Sequence, residues 1–186
     1  LVGIRTAQFK DENDPPNFGL FDKESSWYSK TKHAAELSLE TRGSYIFRIR
    51  MPFTKDDSSR NILNKILKYD NLISYPNSMT SIEDFTDFIL KFIRKDWNNY
   101  LAPDIFNVVN PQAVDIKQIV SILKKAGLEN PNWKFVDIKS LELKANRSNC
   151  ILSDKKIKNL DLQLPDCVDS LDRAIGQLSQ CLKRNT

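Results

Sequence analysis

Apolar positions along the chain recur in two rhythms, one near two residues and one near 3.6, with breaks between them. Residues 8–25 show neither rhythm. Their acids, the Pro15-Pro16 pair, Asn17 and Gly19 predict a loop. A helix is expected from an N-cap at Ser25 or Ser26 to about Arg42, where Gly43 stops it. Tyr45-Ile46-Phe47-Arg48-Ile49-Arg50, aromatic and β-branched and closed by Pro52, predicts a strand. Ser58 or Ser59 is placed to cap a short helix bearing Ile62, Leu63, Ile66 and Leu67, and Leu72–Tyr75 predicts a short strand ended by Pro76. Thr80 and Glu83 fit a capping box for a helix with Phe85, Phe88, Ile89 and Phe92 on one face. Ile105–Val109 reads as a strand. Asp115 then opens a helix with Ile116, Ile119, Val120 and Leu123, closed by Gly127, and Trp133–Ile138 predicts one more strand. Val168, Leu171, Ile175, Leu178 and Leu182 form the stripe of a last helix. Helices alternating with strands that end in Pro-containing loops predict an α/β fold.

Composition narrows the class without naming a function. The chain has 186 residues, 40% of them hydrophobic and 28% charged, as expected of a folded globular protein. Its apolar runs are short and interrupted by Lys, Asp or Asn, so no membrane-spanning helix is expected. The net charge of +4 is spread along the chain among acids, as in Lys30–Lys32 before Glu36, which argues against a nucleic-acid face. Cys150, Cys167 and Cys181 have no metal-ligand spacing and read as free thiols in a reducing compartment, the cytoplasm. The opening Leu1-Val2-Gly3-Ile4-Arg5 leads to the expectation that this is a portion of a longer protein.

Ser25-Ser26-Trp27-Tyr28-Ser29-Lys30-Thr31-Lys32 is the segment richest in chemistry. Tyr28 and Lys32 are four residues apart on a helix, hence one turn apart on one face. A phenol with a reference pKa of about 10 is a poor proton donor near neutrality. A neighbouring ammonium favours the phenolate and improves it. Such a pair alone is common, and a surface tyrosine beside a surface lysine is the plain alternative. His33 reads as a solvated helix residue. Trp27, Trp97 and Trp133 read as packing residues, and Asp154–Lys158 as a solvated helix face.

Five segments turn the pair into a pattern: Tyr28-Ser29-Lys30-Thr31-Lys32, Arg48-Ile49-Arg50-Met51-Pro52, Pro76-Asn77-Ser78-Met79-Thr80, Phe106-Asn107-Val108-Val109-Asn110-Pro111 and Arg147-Ser148-Asn149. In this order and spacing the chain resembles the dTDP-4-dehydrorhamnose reductase branch of the extended short-chain dehydrogenases/reductases. It is most similar to the bifunctional nucleotide-4-keto-6-deoxyglucose 3,5-epimerase/4-reductases of rhamnose synthesis. The resemblance runs from about residue 12 to about residue 175.

The resemblance implies that residues 1–53 end a Rossmann-type parallel sheet domain, and that 54–186 form mainly a smaller α/β domain for the nucleotide sugar. Tyr28 becomes the general acid at the sugar C4 oxygen, and Lys32 its activator and a holder of the nicotinamide ribose. Pro52 and Phe53 lie against the nicotinamide of NADPH or NADH. Asn77, Ser78, Met79 and Thr80 line the sugar-nucleotide cleft, and Arg147 meets the diphosphate of a UDP- or dTDP-linked substrate. Arg60-Asn61-Ile62-Leu63-Asn64-Lys65 matches the family's epimerase stretch and nominates Lys65 as an acid/base. Without the match, Lys65 is one surface lysine among many. No metal site, nucleic acid or membrane is implied, and a homodimer is left open.

The family's Gly-rich phosphate loop, its third catalytic Ser or Thr and the cysteine that partners the epimerisation lysine have no counterpart in the chain. Thr6, Ser25 and Ser26 are poor substitutes for the Ser or Thr. All three features are expected in an N-terminal half outside the chain. A nucleotide-sugar 4-epimerase or 4,6-dehydratase on the same fold stays an alternative, as does a non-catalytic sensor that kept the dehydrogenase fold.

Overall fold

In chain order the elements are β1 (Gln8–Lys10), α1 (Trp27–Glu40), β2 (Ile46–Arg48), β3 (Pro52–Phe53), α2 (Ile62–Lys68), β4 (Asn71–Leu72), β5 (Thr80–Ser81), α3 (Ile82–Arg94), β6 (Ile105–Asn107), α4 (Ile116–Lys125), β7 (Lys134–Phe135), β8 (Cys150–Leu152), α5 (Lys155–Lys158) and α6 (Cys167–Arg184). The structure is a computed structural model that describes residues 8–15, 19–23, 25–95, 101–137 and 149–184. The strands pair as β1–β8, β2–β6, β3–β5 and β4–β7, every pair parallel. Parallel neighbours need crossover connections, and helices supply them here, as the alternating pattern requires. The fold is α/β.

The helix starts follow side-chain chemistry. The Ser26 hydroxyl accepts the Ser29 N–H at 3.2 Å to open α1, and Gly43 leaves it at φ +66°, where a Cβ would be strained. Asp115 and Gln118 close a reciprocal capping box on α4. Two expected caps moved. Asn61, not Ser58 or Ser59, caps α2 by accepting the Leu63 N–H, while the Ser58 carbonyl holds the Asn61 N–H. Ser81, not Thr80, caps α3. Thr80 is committed to β5, where its buried hydroxyl donates to the Val108 carbonyl at 2.9 Å and accepts the Arg50 N–H at 3.1 Å. Glu83 therefore turns to the Thr54 hydroxyl at 2.8 Å instead of closing a box.

Two apolar clusters carry the packing. One gathers Phe53, Leu63, Met79, Ile119, Leu123, Leu171, Ile175 and Leu178 between α2, α4 and α6. The other centres on Phe88, Phe92 and Phe106, with Phe47 edge-on to Phe88 and Phe92 at ring separations of 5.4 and 5.0 Å. Asp84 in α3 receives the Asn110 amide at 2.8 Å, the Ser170 hydroxyl and the Arg173 guanidinium, tying α3 to α6. Most donors to this buried carboxylate come from outside its helix, so its desolvation is offset only in the assembled fold.

Four further sequence expectations are corrected. The 8–25 segment contains β1, whose three residues gain strand geometry by pairing with β8. Asp154–Lys158 is not simply a solvated face: Ile157 of α5 is fully buried and the Lys156 ammonium reaches the Ile105 carbonyl at 2.9 Å. His33 accepts the Leu20 N–H on Nδ1 at 2.8 Å, so it tethers the preceding loop. Trp27 is exposed, with the Lys30 ammonium over its ring, whereas Trp133 does pack and donates its indole N–H to the Ile66 carbonyl at 2.8 Å. Trp97 lies outside the described residues. All three cysteines are free, and no helix among the described residues is long and apolar enough to cross a membrane.

Candidate active site

Parallel strands direct ligands to the space beyond their carboxyl ends. Here the chain leaving β2 delivers Arg50 and Met51 to a cleft of about 410 Å³. Lys65 and Ile62 face it from α2, Tyr69 and Tyr75 from the two sides of β4, and Asn77, Met79 and Asn149 from the remaining wall. Apolar walls with a few convergent polar groups are what a small-molecule site needs.

Arg50 is the polar centre of this cleft. Its guanidinium donates to Asn77 Oδ1 at 2.9 Å. Burial pushes the Arg50 guanidinium below its usual value, with the nearby Cys150 opposing the shift. Burial in turn pushes the Cys150 thiol up, against the pull of Arg50 and Lys10, so the sulfur stays protonated and is no thiolate partner for the arginine. A half-desolvated guanidinium beside a cleft gains most from an anion that brings two oxygens to its fork.

The second group of polar residues stands on α1. The Lys32 ammonium lies 5.6 Å from the centre of the Tyr28 ring, one helical turn along the same face, as the spacing required. Tyr28 is 72% exposed among the described residues.

The structure distributes the other nominated residues unevenly. Lys65, Asn77 and Met79 share the cleft. Ser78 and Thr80 do not line it: the Ser78 hydroxyl accepts the Leu152 N–H at 2.9 Å, and Thr80 bridges the Val108 carbonyl and the Arg50 N–H. Pro52 is exposed, whereas Phe53 is fully buried in the first cluster. Arg147 lies outside the described residues. Arg50, Tyr69 and Tyr75 were not singled out from the sequence, although Arg50 stands inside one of the five matching segments. A second arginine two residues after Arg48 and two before the strand-ending Pro52 was the available signal.

No family model matches the chain. Protein L780 of Acanthamoeba polyphaga mimivirus is 28% identical over 171 residues, covering 90% of this chain and 56% of that protein. Its crystal structure, described as a UDP-rhamnose synthase, superposes with a TM-score of 0.75 at 29% identity over the same shares. The bifunctional dTDP-4-dehydrorhamnose 3,5-epimerase/dTDP-4-dehydrorhamnose reductase of Arabidopsis thaliana is 29% identical over 167 residues, 88% of this chain and 52% of that protein. The dTDP-4-dehydrorhamnose reductase of Bacillus anthracis, solved with NADP, superposes with a TM-score of 0.70 at 18% identity, over 92% of this chain and 60% of that one, and shows the shared fold. The chain thus spans about half the length of these two curated relatives.

Proposed function

We propose that this chain, a homologue of rhamnose synthases and dTDP-4-dehydrorhamnose reductases, carries the proton donor and the sugar side of a nucleotide-sugar 4-ketoreductase. The observation behind this reading is the Tyr28–Lys32 pair, held one turn apart on a capped helix with both side chains exposed. The residues present fit a nicotinamide cofactor in part. Tyr28, Lys32 and Pro52 are exposed and available, whereas Phe53 is committed to the core and supports the loop from beneath. NADPH or NADH, when bound, supplies the hydride. In this reading a dinucleotide-binding domain, of which residues 1–53 are the C-terminal part, holds that cofactor.

The chain's own residues supply the rest of the reaction. Tyr28 Oη donates its proton to the sugar C4 oxygen as that oxygen gains charge, and Lys32 stabilises the phenolate left behind. Arg50, oriented by Asn77, receives oxygens of a UDP- or dTDP-linked diphosphate, with Arg147 as a second cation. Tyr69 and Tyr75 give the cleft flat apolar surface. Lys65 serves as the acid/base at C3 and C5 if the protein also epimerises. Residues 1–53 belong with the dinucleotide side and 54–186 mainly with the sugar side. Three free thiols suit the cytoplasm, and a homodimer is part of the reading.

The test is turnover by the full-length protein, offered UDP- or dTDP-4-keto-6-deoxyglucose with NADPH or NADH. The reading expects stoichiometric loss of reduced nicotinamide and a 4-hydroxy product. Interconversion at C4 without net consumption of cofactor supports a 4-epimerase instead. Binding without turnover in all four combinations supports a sensor.

A further inference from the structure

Helix α1 presents a physical problem. Among the described residues it buries no side chain, whereas α4 and α6 bury whole apolar stripes. What this chain's described residues contribute to the angle of α1, and so to the place of the proton donor, therefore has to come from other contacts.

Arg48, the last residue of β2, meets that need. Its Nε donates to Glu36 Oε2 at 3.0 Å, and a second guanidinium nitrogen donates to Glu36 Oε1, so the fork grips both carboxylate oxygens. The pair is largely enclosed, with side-chain exposures of 23% and 19%. Burial alone lowers the arginine, but the Glu36 carboxylate, together with the nearby Glu40 and Glu12, outweighs it and raises Arg48 above its usual value. The third nitrogen donates to the Glu12 carbonyl at 3.4 Å. Glu12 in turn accepts the Asn107 N–H on its carboxylate at 2.8 Å, and Asn107 is the register partner of Arg48 in β6. The grip is therefore anchored to two paired strands and to the segment after β1. Glu36 follows Tyr28 and Lys32 at steps of four, so all three lie within an arc of about 80° on α1.

We infer that Arg48 and Glu36 are positioning residues for the reaction, a polar clamp that sets the rotation of α1 over β2 and β6 and thereby the place of Tyr28 and Lys32. This rests on the reductase reading given above. A bidentate guanidinium–carboxylate contact fixes angle as well as distance, which a single lysine contact does not. His33, through the Leu20 N–H, steadies the adjoining face.

The test has two readouts, made on the full-length protein with Arg48→Met, Arg48→Lys, Glu36→Gln and the swap Arg48→Glu with Glu36→Arg. The first is amide hydrogen exchange along α1. Arg48→Met is expected to speed exchange across residues 30–40 by about tenfold or more, with α4 and α6 unchanged. The second is steady-state kinetics. A misplaced donor lowers kcat by about 10- to 100-fold while KM for the sugar nucleotide, bound by the cleft, stays within about twofold, and the swap recovers much of the loss. Unchanged α1 exchange in Arg48→Met overturns the clamp whatever the reaction proves to be. Loosened α1 with undiminished kcat, in a protein where Tyr28→Phe is inactive, overturns its positioning role. Full activity of Tyr28→Phe overturns the reductase reading itself, and α1 exchange then still decides whether the clamp exists.

Discussion

Asn77 holds Arg50: its Oδ1 accepts the guanidinium at 2.9 Å and the Cys150 N–H at 3.0 Å. Its amide nitrogen donates to the Tyr75 carbonyl at 3.1 Å and to Asn149 Oδ1 at 3.3 Å. Every polar atom of the Asn77 side chain is thus engaged by the protein, and the guanidinium is what it presents to the cleft.

That arrangement separates two variants. Arg50→Lys keeps the charge but loses the fork, and should raise KM for the sugar nucleotide by about 10- to 100-fold, the worth of a charge-assisted hydrogen bond, with kcat little changed. Asn77→Ala should raise KM too and should also lower stability by about 1–3 kcal/mol, since the buried Cys150 N–H loses its acceptor. Steady-state kinetics and thermal unfolding of the full-length protein check both. An unaltered KM in Arg50→Lys removes Arg50 from the binding site.

Lys65 faces the same cleft, on a helix anchored by the buried Leu63 and Ile66. If it moves protons at C3 and C5, Lys65→Met should abolish solvent deuterium incorporation at both positions of the 4-keto sugar. Reduction of a substrate that is already epimerised should continue. Exchange at the parental rate makes Lys65 a wall residue only.

The thiols should differ sharply in reactivity. Burial, with the Asp166 and Asp84 carboxylates adding to it, pushes the Cys167 thiol up to about 12, and burial raises Cys150 as well. A raised value means the unreactive neutral thiol persists throughout the neutral range, while Cys181 is exposed. Iodoacetamide at pH 8 should label Cys181 in the native protein and leave Cys167 until unfolding, as peptide mapping would show. Equal labelling of Cys167 and Cys181 contradicts the packing around α6.

Long periodic elements were legible from sequence because burial itself creates the period. The stripe from Val168 to Leu182 and the Phe88–Phe92 face both became core. Four of the short strands were not. β1, β3, β5 and β8 have two or three residues each, and their geometry comes from partners far along the chain, as in Phe9 opposite Ile151. Caps slipped for the same reason: Thr80 matched a local rule but was claimed by Val108 and Arg50. At the site, Tyr28 and Lys32 were readable because both sit on one helix. The meeting of Arg50 with Asn77 joins residues 27 positions apart, and nothing in local spacing encodes it.

The central claim is that Tyr28 delivers the proton to the C4 oxygen. Single-turnover reduction by full-length Tyr28→Phe, with saturating nucleotide 4-keto sugar and reduced nicotinamide, tests it most directly. Removing a positioned proton donor should slow the hydride-transfer step by about 10²–10⁴-fold while the sugar nucleotide still binds with parental affinity, because Arg50 and the cleft are untouched. A Tyr28→Phe protein that reduces the sugar at the parental rate contradicts the account.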